Sequence, residues 1–162
     1  MRMQFRKGLG FGLTSGTITT LGLLVGLDAS TGSRLAILAG IFAIAISDAF
    51  SDALGMHISE ESTYKKTKKQ IWEAMIATFF FKFIFALSFA VPFFLFNVST
   101  AVYVCIAWGI SVLAYYSYHL AKKEKISPFK AITEHVSIAI AVIAAAYIVG
   151  RLTAMFVAQN GL

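Results

Sequence analysis

Five apolar stretches, at 8–27, 35–56, 71–96, 100–121 and 132–156, restrict how this chain folds more than any other feature. Each is about 20 residues or longer, enough for a helix to cross ~30 Å of hydrocarbon. Inside that layer the backbone must satisfy its own hydrogen bonds, which a helix does within one segment. The expectation is an all-α integral membrane protein with five transmembrane helices, forming a single transmembrane domain over 1–162. Composition agrees, with 58% hydrophobic and 14% charged residues and a mean hydropathy of +0.76. A soluble domain has no means of hiding so much apolar surface, so the lipid bilayer is the first expected partner. The first stretch is glycine-rich, lacks a clear cleavage site and leads into further spans, which argues against a cleaved secretory signal.

The net charge of +6 invites a nucleic-acid reading, but the placement of the charges excludes it. Arg2, Arg6 and Lys7 precede the first span. Lys65, Lys66, Lys68 and Lys69 follow the second, and Lys122, Lys123, Lys125 and Lys130 follow the fourth. Arg34 and Arg151 are alone at the other ends. Basic loops stay in the cytoplasm, so the N-terminus is expected inside and the C-terminal residues Ala158 to Leu162 outside. Tyr115, Tyr116 and Tyr118 read as an interfacial aromatic belt, with His119 in it. Ser127-Pro128 is a helix-start signal, followed by Glu134 and His135 at solvated positions. Cys105, the single cysteine, is expected to be a free buried thiol.

Asp48 and Asp52 break the second span. Four residues apart, they share one helical face, about 40° apart around the axis. Counted from Arg34 they lie ~21 and ~27 Å along the helix, in its cytoplasmic half. A carboxylate inside a membrane helix costs about 2.5–3.5 kcal/mol, so two of them point to a function. With the Ser51 hydroxyl and the Met56 thioether nearby, they offer oxygen ligands and one softer donor. Oxygen alone suits Mg²⁺, Ca²⁺ or Mn²⁺; adding Met56 or His57 moves the preference toward Fe²⁺, Mn²⁺ or other first-row ions. His57, Glu60 and Glu61 fall just past the span, as candidates for a cytoplasmic entrance.

The first span carries Gly12/Gly16 and Gly22/Gly26, two spacings that let helix backbones approach closely. They serve packing inside one chain or a symmetric dimer contact lining a polar path, which Ser15 would share. Lys82 in the third span is the expected partner for Asp48, as an internal ion pair that leaves Asp52 unmatched. Pro92 is expected to kink that span. An earlier DxxDG with a nearby Ala-Arg, which phosphatidyltransferase metal sites need beside a DxxxD, is missing, as is any serine–histidine–acid set. The chain is therefore expected not to be an enzyme.

Ordered landmarks then carry a resemblance. They are Gly12-Leu13-Thr14-Ser15-Gly16-Thr17-Ile18-Thr19-Thr20, Ser51-Asp52-Ala53-Leu54-Gly55-Met56-His57-Ile58-Ser59, Ala86-Leu87-Ser88-Phe89-Ala90 followed by Pro92, Ser127-Pro128, and Tyr147-Ile148-Val149-Gly150-Arg151-Leu152. Together they resemble the vacuolar iron transporter family of divalent-metal/proton antiporters. The resemblance implies a homodimer whose first and second spans line a path at the subunit interface. Ser15 stands where that family has an aspartate, Asp52 where it has a methionine, Met56 where it has a glutamate and Asp48 where it has a small residue. The acid has moved from the first span to the second. The glutamate-rich extension of many members is absent; only about 14 residues separate spans two and three, with Glu60 and Glu61 as remnants.

These readings combine into an expected function. A divalent transition-metal ion, Fe²⁺ or Mn²⁺, would leave the cytoplasm in exchange for protons along a homodimer path, with no tightly bound cofactor. The alternative is a non-transporting membrane metal sensor or assembly protein in which Asp48 and Lys82 form a structural ion pair. A prokaryotic inner membrane is favoured over a vacuolar one.

Overall fold

The computed structural model describes residues 3–63 and 66–161. Arg2 and Lys65 of the basic clusters, and Leu162 at the C-terminal end, lie outside the described residues. All described elements are helices: α1 (Met3–Thr31), α2 (Arg34–Glu61), α3 (Lys68–Ser88), α4 (Val91–Leu95), α5 (Val98–Glu124) and α6 (Pro128–Gln159). Five segments are long and apolar enough to cross a membrane, with 68–95 counting as one.

Local chemistry sets the helix ends. Ser33, Asn97 and Ser127 cap α2, α5 and α6 with their side chains, and Pro128 follows at the first helical position. Thr67 and Gln70 form a reciprocal capping box at the start of α3. Gly32, at φ 59°, takes the left-handed conformation that separates α1 from α2.

The third span does not kink at Pro92 as expected; it breaks before it. Phe89 and Ala90 tighten into bonds to Ala86 and Leu87, and α4 starts afresh with Pro92 in its first turn. Proline has no N–H to continue the α3 ladder. The Cys105 thiol donates to the Phe89 carbonyl at 3.4 Å, filling part of the gap, and the Trp108 indole donates to Ser88 Oγ at 3.1 Å. Cys105 is buried and free.

Two close contacts position the site. Along α1, Gly8, Gly12 and Gly16 face α3 so closely that a Cβ on Gly12 would lie 2.8 Å from the Thr78 carbonyl oxygen. Antiparallel to α1, α2 keeps one register over its length: Lys7 meets Glu60, Ser15 meets Asp52, Thr19 meets Asp48 and Leu27 meets Gly40. Each step along α1 is matched by an equal step back along α2.

An apolar core fills the half away from the basic clusters, built from Leu21, Leu24, Ile37, Ile41, Phe89 and Phe93. At the opposite end, a cleft lined by Arg6, Lys7, Tyr116, Glu124 and His135 brings the ends of α1, α5 and α6 together. The described basic clusters therefore share one end of the bundle.

Candidate cation site between three helices

The register of α1 against α2 and the glycine contact of α1 with α3 place four polar side chains around one point. The Lys82 ammonium lies 2.6 Å from Asp48 Oδ2 and pairs directly with Asp52 Oδ2. It also donates to Ser15 Oγ at 2.8 Å. Its three N–H groups thus have three oxygen acceptors. Ser15 passes the contact on, donating to Asp52 Oδ2 at 2.7 Å. Thr19 donates to Asp48 Oδ2 at 2.9 Å, sharing its proton with the Ser15 carbonyl one turn back.

Lys82 is 1% exposed, the largest fully buried side chain described. The carboxylates are less enclosed, with the Asp48 side chain 25% and the Asp52 side chain 22% exposed. Ser51 and Gly55, their neighbours on the α2 surface, are exposed. The site is sealed by α3 and open along the small-residue face of α2. Two negative charges and one positive leave the cluster with a net charge of −1.

This geometry corrects one expectation: Lys82 does not leave Asp52 unmatched but holds both aspartates. Ser15 joins them as well. Met56, partly buried one turn beyond Asp52, has no bond to the cluster among the described residues, and Ser51 faces outward. Gly12 and Gly16 are buried against α3, where a second chain has no access to them. Gly22 and Gly26 face Val142 and Ala146 of α6.

The residues expected at an entrance are arranged differently. Glu60 is buried and clasped, 3.2 Å from Lys7 and in direct contact with Lys66. His57 packs edge-on to Trp72, with ring centroids 5.3 Å apart, while Glu61 is exposed 3.9 Å from its Nε2. His135 is partly exposed where it lines the cleft with Arg6 and Glu124. Its Nδ1 lies 2.7 Å from Ser117 Oγ, whose own proton goes to the Leu113 carbonyl, so the imidazole nitrogen is the donor.

Two polar residues were passed over in the sequence. Thr19 has the same four-residue offset from Ser15 that Asp52 has from Asp48, and pairing these offsets would have revealed it. Asp28 lies in a cleft of the far half among Val25, Tyr103, Ile106, Ile143 and Tyr147; an acid so near a helix end reads as surface.

No group of three or more His, Cys, Asp or Glu side chains able to hold a metal ion occurs among the described residues. Within one chain the arrangement holds one cation, the ammonium of Lys82. No protein-family model matches the chain, and no curated protein matches it either.

Proposed function

We propose that the chain is a membrane transporter for a divalent transition-metal cation, Fe²⁺ or Mn²⁺, and not an enzyme. One observation carries this reading: the two carboxylates of α2 and the Ser15 hydroxyl of α1 converge on a single cation position within a span, with Thr19 bonded to one of the carboxylates. A transport site works with such an incomplete donor set, because the ion must also leave. The shared end of the basic clusters supports a cytoplasmic N-terminus, and so an opening nearer the cytoplasm. The resemblance to vacuolar iron transporters supports export, exchange for protons and a homodimer. The exposed small residues Ala39, Ala43, Ser47, Ser51 and Gly55 of α2 support a second copy lying against the open side of the site.

The test is flux of Mn²⁺ and Fe²⁺ in proteoliposomes carrying an internal pH reporter. In Asp48→Asn/Asp52→Asn, metal flux and the accompanying proton movement are abolished while the protein still elutes as a dimer. Undiminished flux in that double variant would remove the site assignment.

A second reading is favoured by the pairing of Lys82 with both acids. The cluster would then be a fixed structural element of a metal sensor or assembly protein. That reading predicts no flux of Fe²⁺, Mn²⁺, Co²⁺, Zn²⁺ or Ca²⁺ in the wild-type chain.

A further inference from the structure

A buried triad of charges is an expensive way to hold three helices together; apolar residues of similar volume do so as well or better. Lys82 instead occupies the point at which a transported cation would bind, and it makes no other bond among the described residues. From α2 it faces Asp48 and Asp52. From α1 it faces only the Ser15 hydroxyl and the backbones of Gly12 and Gly16. Building on the transport reading above, we infer that Lys82 is a resident counter-charge that supplies part of the positive charge that exchanged protons would otherwise bring, and so lets the metal-free carrier return across the membrane.

Charge counting gives the reason. With Lys82 present, the empty site carries −1 and the site loaded with a divalent ion carries +1. Without Lys82 those values become −2 and 0. The Born cost of a buried charge rises with its square, so the empty state without lysine is about four times as costly as with it. The loaded state becomes cheap. Ion-for-ion exchange uses only the loaded state, whereas net transport needs both, and the costlier state sets its rate.

The ammonium sits beside carboxylates that are themselves about a quarter exposed, so it is the head group that yields when an ion arrives from that side. Its flexible four-carbon stem lies along Gly16, where a Cβ would come within 3.2 Å of Lys82 Cγ. The lysine keeps its place on α3; only its head group leaves the carboxylates.

The experiment uses the full chain in proteoliposomes, at equal pH on both sides and zero voltage, with radiolabelled Mn²⁺ as the only probe. Lys82→Gln and Lys82→Met are compared with wild type for net Mn²⁺ flux and for equilibrium Mn²⁺ exchange. Exchange stays within about threefold of wild type while net flux falls about tenfold or more. Loss of both in parallel, or unchanged net flux, overturns the role of Lys82 and leaves the transport reading standing, provided wild type carries Mn²⁺. Wild-type vesicles with neither flux nor exchange end the transport reading and this inference with it. If neither neutral variant elutes as a folded species, Lys82 is structural and the inference falls.

Discussion

Lys82 and Asp52 pair directly between α3 and α2, and the Ser15 hydroxyl of α1 closes a triangle by accepting from one and donating to the other. Three helices therefore meet at one hydrogen-bonded ring, which ties the stability of the bundle to the chemistry of the site.

Removing the lysine alone strands two acids. Lys82→Met is expected to be destabilised by about 3–5 kcal/mol, because a buried pair is broken from one side. The triple variant Asp48→Asn/Asp52→Asn/Lys82→Met recovers most of that loss. Thermal unfolding in detergent measures both, and a triple variant no more stable than the single one would reject the account.

The hydroxyls differ in what they hold. Ser15 touches both the ammonium and Asp52, so Ser15→Ala costs about 1–3 kcal/mol. Thr19 divides its proton between Asp48 and a backbone carbonyl, so Thr19→Ala costs less than Ser15→Ala in the same melting assay. The reverse order would contradict the bonding described.

Glycines separate into two kinds. A side chain at Gly12 meets the Thr78 carbonyl, so Gly12→Val costs about 1–3 kcal/mol or more. Nothing lies within 4 Å of a Cβ at Gly55, and Gly55→Ala is expected to stabilise α2 by up to ~1 kcal/mol. Unfolding midpoints of the two variants move in opposite directions.

Cysteine chemistry tests the dimer. Cys105 is buried and stays unlabelled by maleimide until the protein unfolds, leaving a silent background. Cysteine placed at exposed Ser47 or Ser51 then forms a disulfide between two copies in the membrane. A ladder with no dimer band under oxidation counts against the proposed α2 interface.

Glu60 fastens the start of α1. Glu60→Gln releases Lys7 and Lys66 and raises amide hydrogen exchange over 4–10. Lys7 is 45% exposed, so its share of the contact is screened and weakens as salt is added. Exchange unchanged by the substitution at low salt would contradict the clasp.

Hydrophobic run length was enough to locate all five crossing segments, because each must match the bilayer. The break inside the third was not legible. A proline inside an apolar run signals a kink as readily as a break, and the partners that settle it, Cys105 and Trp108, lie on another helix. Asp48, Asp52, Ser15 and Lys82 stood out by the cost of burying polar groups. The pairing of Lys82 with Asp48 was legible, but its further reach to Asp52 and Ser15 was not, because that depends on how closely Gly12 and Gly16 draw α3 to α1. Glu60 was misread as open for a similar reason: its bond to Lys7 spans 53 positions in the sequence.

The matched spacing of Ser15 and Thr19 on α1 and of Asp48 and Asp52 on α2 works like two teeth of a rack. α1 is packed on α3 through its glycines and α2 is bonded to both, so any displacement of α2 along α1 would be measured in whole notches. One notch is four residues, about 6 Å along the axis. Shifted one way, Ser15 engages Asp48 while Asp52 faces Phe11. Shifted the other way, Thr19 engages Asp52 while Asp48 faces Leu23. Either displacement would keep one tooth meshed and disengage the other, so the register decides which hydroxyl each acid meets.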